Sequence, residues 1–279
     1  MSNQEPWGKT VLVDFSDDIA WVTLNRPDKR NCMSPELNRE MLATLDALET
    51  DDRCKVVVLT GAGESWSAGM DLKEYFREVD GAPPIVQYRT RRASGDWQWR
   101  KLRFYVKPTI AMVNGWVFGG AFTPLVACDF AIAAEDAQFG LSEINWGILP
   151  GGNVTKVVMD TMGHRDGLYY IMTGETFDAV KAAQMKLINE AVPRAQLKQR
   201  VTELAKTLMG KDAVTLHAAK EVAKRVMSMD WDTANDYIYA KVDEAIFQSG
   251  GHFRKGAMKA FLDDKKLKPG LQTYDPENK

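Results

Sequence analysis

Two apolar runs set the terms on which this chain can fold. They are KVVVLT at residues 55–60 and PTIAMV at 108–113, both short and rich in β-branched residues. That pattern suits strands buried on both faces, as in a parallel sheet. Each run leads into a Gly-rich loop, GAGESWSAGMDL at 61–72 and NGWVFGGAF at 114–122. After the second loop the sequence predicts a short buried helix over 121–127 and another strand over 130–133. The recurring order of strand, loop, helix and strand permits few topologies. Parallel strands need a crossover, and crossovers within one sheet are right-handed. The expected class is α/β.

The flanking segments fill in the frame. Residues 10–15 and 19–24 read as strands, with Asp17 and Asp18 making a hairpin between them. Ser34 before Pro35 reads as an N-cap followed by a first-turn proline. Leu37, Met41, Leu45 and Leu48 then give one apolar helical stripe. Residues 73–103 are rich in charge and aromatics and predict helix with a mobile break at 81–84. Helices are expected over 159–172 and 179–185, and a last strand over 188–192. From 195 onward four helical patterns follow without strands, over 195–209, 213–229, 231–248 and 253–263. This divides the chain into a core, 1–195, and a helical region, 196–279, expected to pack on the core and on a neighbouring subunit. Residues 268–279 are expected to be loosely ordered.

Composition excludes several classes of function. The net charge is −2, from 36 basic and 38 acidic residues, which gives no footprint for nucleic acid or a membrane surface. The run RTRR at 89–92 is the one basic cluster, and a solvated helix face explains it. Three cysteines and three histidines are scattered without metal-ligand spacing, so no metal is expected. No basic segment followed by an apolar stretch opens the chain, and no apolar run approaches about 20 residues. The expected location is the cytoplasm.

The chemistry-bearing features are few. AGMDL and FGGAF each follow a buried strand, and glycine there lets the backbone approach a ligand closely. The N–H groups of Met70 and Gly120 would then hold one carbonyl oxygen, the second aided by a helix start near Ala121. Such a pair stabilises the charge that develops when a thioester becomes an enolate. Either loop alone is more often a plain strand–helix turn; the pair carries the functional reading. Glu143 lies in FGLSEINWG among Phe139, Leu141, Ile144 and Trp146, and desolvation there suits a carboxyl to acid–base work. In NRPDKRN at 25–31, Lys29 and Arg30 offer positive charge for the phosphates of an acyl carrier. Tyr75, Phe76, Trp146, Tyr237 and Tyr239 supply aromatic surface, and the tyrosines supply hydroxyls for a phenolic ligand. Dinucleotide, P-loop and nucleophile-elbow fingerprints are absent from the sequence.

The motifs LNRPDKRNCMS, LTGAGESWSAGMDL and KPTIAMVNGWVFGGAFTPLVACDFAIAAEDAQFGLSEINWGILPGG resemble the crotonase (enoyl-CoA hydratase/isomerase) superfamily, as does the tail segment GAMKAFLDDK. The resemblance runs from about residue 9 to 266. It implies a spiral of ββα repeats with a helical C-terminal trimerisation region, assembled as a homotrimer or a dimer of trimers. It also implies an acyl-CoA substrate, with no cofactor beyond its CoA moiety. Met70 and Gly120 fall at the family's oxyanion donors, and Lys29, Ala68 and Leu72 where family members line the CoA site. Family hydratases carry two glutamates, and Thr123 stands at the first of those positions, leaving Glu143 alone. Within the family the chain resembles the branch that hydrates 4-hydroxycinnamoyl-CoA thioesters and cleaves them to an aromatic aldehyde and acetyl-CoA. That likeness implies Tyr75 and Tyr239 at the phenol and Ser142, Trp146 and Gly147 around the aryl ring. Thr123 would face the reacting carbons without acting as a base. The alternative is another hydratase or isomerase of the same family; a nucleic-acid-binding module or an inert scaffold fits the charge and the intact loops less well.

Overall fold

Asp17 and Asp18 take left-handed backbone angles, φ 54° and 59°, and join β1 (Val11–Ser16) to β2 (Ile19–Leu24) as an antiparallel hairpin. A two-residue loop with both φ values positive matches the natural twist of the flanking strands. The computed structural model describes residues 7–268, 270 and 272–276. Part of the tail expected to be loosely ordered therefore lies outside the described residues.

After the hairpin, α1 (Pro35–Thr50) starts as the sequence predicts. Ser34 Oγ accepts the Leu37 N–H at 3.2 Å, and Leu37, Met41, Leu45 and Leu48 are all buried. The chain then alternates between two sheets. β3 (Val56–Gly61) is followed by β4 (Ser65–Ser67), a π-helical turn over 72–77, α2 (Glu78–Asp80) and α3 (Pro84–Gly95). A second π-helical turn over 96–101 leads to β5 (Thr109–Val113), β6 (Trp116–Phe118) and α4 (Phe122–Ala127). Next come β7 (Phe130–Ala134), β8 (Gln138–Gly140), α5 (Val154–Thr161) and α6 (His164–Thr173). β9 (Thr176–Asp178), α7 (Ala179–Gln184) and β10 (Glu190–Val192) complete the strands. The single helix expected over 159–172 is thus two helices, interrupted at Met162 and Gly163.

One sheet has the order β1-β2-β3-β5-β7-β10 and is parallel beyond the hairpin. The other, β4-β6-β8-β9, is parallel except at β9. Each repeat gives one strand to each sheet, which is the ββα spiral the family resemblance implies. The corners are tight: a Cβ on Gly115 would lie 1.8 Å from the Glu64 carbonyl oxygen, so no side chain fits there. The core holds the runs read from the sequence, with Val56, Val58, Ile110, Ala111 and Val113 fully buried.

The described residues up to 203 form one compact unit and those from 204 onward a second, the division falling within α8 (Leu197–Met209); the change to strandless helical patterns sets the expected boundary at 195/196. The second unit continues with α9 (Ala213–Val226), α10 (Trp231–Ser249) and α11 (His252–Leu262). Lys241 on α10 pairs with Glu221 on α9 at 3.0 Å. Large apolar side chains of this unit stand open, Trp231 at 92% and Phe247 at 88% exposure. Among the described residues no helix is long and apolar enough to cross a membrane.

Candidate active site

The loops that carry the expected donors and the acid follow β4, β6 and β8, which lie side by side in the smaller sheet and run parallel. Their carboxyl ends therefore open on one edge, with neighbouring strands about 4.8 Å apart. That edge is where open α/β sheets place their ligands.

Met70 leaves β4 across a single bridge to Met33. The Met33 N–H donates to the Gly69 carbonyl at 2.7 Å, and the Asp71 N–H donates to the Met33 carbonyl at 3.1 Å. These bonds bracket Met70, so its own N–H points to the opposite side. On that side stands Gly120. A Cβ on Gly120 would lie 2.8 Å from Met70 Cγ and 3.4 Å from Met70 N. Gly69 (φ 86°) is as close: a Cβ there would lie 3.0 Å from Gly120 N and 2.6 Å from the Phe118 carbonyl oxygen. Gly120 lies in the 3-10 turn Gly119–Ala121 that opens α4, where the first N–H groups have no intrahelical acceptor. Glycine at 69 and at 120 thus lets the two backbones approach and brings the Met70 and Gly120 amides near one another.

Glu143 completes the group. It sits in the 3-10 turn Ser142–Trp146 just after β8. A Cβ on Gly119 (φ 50°) would lie 3.0 Å from Glu143 Oε1. Glu143 Oε2 is buried and has no hydrogen-bond partner. Burial pushes the Glu143 carboxyl above the ordinary glutamate range, only partly countered by a backbone hydrogen bond. Its apolar surroundings differ from those expected. Phe139 and Leu141 are buried, but Ile144 and Trp146 are 42% and 70% exposed. The carboxylate is desolvated by the Gly119 turn and the strand end, not by the side chains that follow it.

Thr123, on α4, is 1% exposed, and its hydroxyl donates to the Gly152 carbonyl at 2.8 Å. That bond occupies the one proton it could offer. Tyr75 lies in the π-helical turn after Met70, where burial pushes its phenol up against the opposing effect of a hydrogen bond with Ser94. Ser142 is half-buried beside Glu143, and Gly147 (φ 68°) ends that turn in the open. Lys29 is exposed in a 3-10 turn, Leu72 is 60% exposed, and the Ala68 N–H donates to the Arg30 carbonyl at 2.8 Å. Tyr239 lies on α10 of the second unit with 65% exposure. Among the described residues no cluster of His, Cys, Asp and Glu suits a metal ion. A cleft of about 620 Å³ is lined by Tyr88, Arg91, Trp99, Arg100 and Asn153 among others, and Asn153 adjoins the Gly152 that accepts the Thr123 hydroxyl.

The sequence reading missed two parts of this neighbourhood. Gln98, buried in the second π-helical turn, places Nε2 3.5 Å from Met70 Sδ and 3.0 Å from Ser94 Oγ. Arg26 reaches Asp71 at 2.9 Å and Glu74 at 2.7 Å. A polar residue inside an aromatic run and the arginine of NRPDKRN were the available signals.

Neighbouring amides at Met70 and Gly120, with a desolvated carboxylate beside Gly119, have the chemistry to polarise a carbonyl and to move protons. The family model described as enoyl-CoA hydratase/isomerase matches residues 14–270. The chain belongs to that family. A Pseudomonas fluorescens protein named hydroxycinnamoyl-CoA hydratase-lyase is 58% identical to it over 274 residues, 98% of this chain and 99% of that one. The short-chain-enoyl-CoA hydratase of Clostridium acetobutylicum is 30% identical, with 92% and 96% covered. Among solved structures, an enoyl-CoA hydratase from Bacillus anthracis aligns with a TM-score of 0.81 at 26% identity, covering 91% of this chain and 96% of its own. That likeness in fold spans most of both chains.

Proposed function

We infer that this family member hydrates 4-hydroxycinnamoyl-CoA thioesters, such as feruloyl-, coumaroyl- or caffeoyl-CoA, and then cleaves the product. The products are a 4-hydroxybenzaldehyde of the vanillin type and acetyl-CoA. The observation that carries this reading is the desolvated Glu143 packed against Gly119, next in the chain to Gly120, whose backbone approaches Met70, with Thr123 where the family resemblance expects a second glutamate; the 58% identity over nearly the whole chain supports it.

In the first stage the Glu143 carboxylate takes a proton from water, and the oxygen adds to the β-carbon. Electrons move to the thioester oxygen, where the Met70 and Gly120 N–H groups stabilise the enolate. Glu143 returns its proton to the α-carbon. In the second stage Glu143 takes the proton of the β-hydroxyl, the Cα–Cβ bond breaks, and the aldehyde forms. The electron pair returns to the acetyl-CoA enolate in the same oxyanion hole, and Glu143 again delivers the proton to carbon. One carboxylate suffices because each stage takes one proton and returns one. The para-hydroxyl of the substrate shares the work: held by Tyr75 and by Tyr239 of a neighbouring subunit, its ionisation favours quinone-methide character at the β-carbon. Ser142, Trp146 and Gly147 bound the aryl ring, and Lys29, Ala68 and Leu72 the CoA. Thr123, its hydroxyl held by Gly152, presents its methyl group rather than a base.

Both stages are redox-neutral, so the chemistry calls for nothing beyond the CoA moiety of the substrate. The open Trp231 and Phe247 of the helical unit support a homotrimer or dimer of trimers, and the sparse cysteines a cytoplasmic enzyme. The decisive experiment is incubation with feruloyl-CoA. Vanillin and acetyl-CoA in equal amounts are expected; turnover of crotonyl-CoA with no cleavage of feruloyl-CoA would place the chain among the simple hydratases instead.

A further inference from the structure

Arg26 belongs to none of the groups just assigned, yet its guanidinium is bonded on both terminal nitrogens. Its Nη1 donates to the Cys32 carbonyl at 2.8 Å and to Asp71 Oδ2 at 2.9 Å; its Nη2 donates to Glu74 Oε1 at 2.7 Å. The Arg26 side chain is 12% exposed and that of Asp71 8%. The other Asp71 oxygen, Oδ1, accepts the Lys73 and Glu74 N–H groups at 3.0 and 2.8 Å and so caps the π-helical turn. The Cys32 thiol donates to Asp71 Oδ2 at 3.2 Å. Burial first, then the bond to Asp71, push that thiol up to about 12, so it stays a donor at neutral pH.

The same loop is held at its other end. The Arg26 N–H donates to Asn31 Oδ1, and Asn31 Nδ2 donates to the carbonyls of Ala62 and Ser65. The 26–33 loop is therefore fastened to β4 and to the segment beyond it. Asp71 directly follows Met70, and Glu74 directly precedes Tyr75, whose N–H donates to the Asp71 carbonyl at 2.9 Å.

We propose that Arg26 is a positioning residue: by clamping Asp71 and Glu74 to the 26–33 loop it fixes the direction of the Met70 N–H and, one turn on, of Tyr75. The inference rests on the reading of Met70 as an oxyanion donor. A guanidinium suits the task because it is planar and reaches a carbonyl and two carboxylates at once; an ammonium is a single point charge. A buried ion pair is weak as a device for stability alone, since an apolar pair of similar volume serves as well or better. It is strong as a device for direction, because its geometry is fixed by the fork. A displacement of about 1 Å at such a donor is enough to cost about a hundredfold in rate.

The test uses the full-length protein with Arg26→Ala, Arg26→Lys and Asp71→Asn. The readouts are kcat and KM for feruloyl-CoA, and the infrared carbonyl stretch of bound cinnamoyl-CoA, which reports polarisation by the amide donors. The expected result is a fall in kcat of about ten- to a hundredfold, a KM within about threefold, and a smaller shift of the bound carbonyl stretch. Arg26→Lys should not rescue, and Arg26→Ala with Asp71→Asn should be no worse than the more damaging single change. A folded variant with the full carbonyl shift and unchanged kcat overturns the proposal. If Arg26→Ala does not fold, Arg26→Lys and Asp71→Asn are read by the same criteria. The carbonyl shift in the unaltered protein separates this outcome from failure of the functional reading: it tests the oxyanion hole whether or not feruloyl-CoA is cleaved.

Discussion

Gly119 and the Glu143 carboxylate stand so close that a single carbon on Gly119 would lie 3.0 Å from Oε1. The turn that presents one oxyanion donor also walls the acid. The Gly119 backbone is left-handed as well, at φ 50°, a conformation costing other residues roughly 1–2 kcal/mol. Gly119→Ala is therefore expected to lower kcat by about tenfold or more by moving Glu143, with a smaller effect on KM. Steady-state kinetics with feruloyl-CoA check this.

Gly120→Ala attacks the donor rather than the acid. Its new carbon would meet Met70 Cγ at 2.8 Å and drive the two amides apart. Loss of one oxyanion donor costs about 10²–10³ in kcat, and a loss of that size is expected. A variant within threefold of the parent would remove Gly120 from the oxyanion hole.

Glu143→Gln should abolish turnover by at least about a hundredfold, the contribution of a positioned acid–base group. The same change should raise Tm at neutral pH. Desolvation holds the folded carboxyl above the ordinary value of 4.5, so the folded state binds its proton more tightly than the unfolded chain does. Stability then falls as pH rises through the window above 4.5, and at neutral pH the buried charge is a cost that glutamine lacks. Thermal melts of both proteins at pH 5 and pH 7 test the sign: the gap in Tm should be wider at pH 7.

The pH profile of kcat/KM follows from the same shift. Activity needs the carboxylate, so the acid limb should rise through a pKa above 4.5 rather than at it. An acid limb at or below 4.5 would mean that Glu143 is not the base.

On the proposed reading, Tyr239→Phe removes one of the two hydroxyls that hold the substrate phenol. The ratio of kcat/KM for feruloyl-CoA to that for its 4-methoxy analogue should fall by about five- to tenfold, the worth of one hydrogen bond to a polar partner. Tyr75→Phe should act in the same direction. An unchanged ratio for Tyr239→Phe would confine the phenol to Tyr75.

Much of the larger sheet could be read from the chain because its signals are local. Asp17 and Asp18 announce a hairpin, Ser34 and Pro35 a helix start, and the buried runs at 56–61 and 109–113 two parallel strands. The smaller sheet was not legible. β4, β6, β8 and β9 have three residues each, too short for any periodicity to show. The helix break at Met162–Gly163 was hidden in the same way, by apolar residues that continue a stripe across it. Met70, Gly120 and Glu143 could be named from their motifs, but their adjacency follows from strand order, which no local pattern encodes. Arg26 and Asp71 lie 45 positions apart, and their pairing is likewise a property of the loops that the strands bring together.

The passage of the chain from one sheet to the other has a consequence for how such a site can change. The loops bearing Met70, Gly120 and Glu143 come from three successive turns of the spiral, and each leaves its own strand of a hydrogen-bonded ladder. The loops still touch one another, Gly120 against Met70 and Gly119 against Glu143, so a substitution at either glycine is felt in the next loop. Thr123 takes no part in those glycine contacts, its hydroxyl being tied to Gly152, so a change at position 123 is expected to leave them in place.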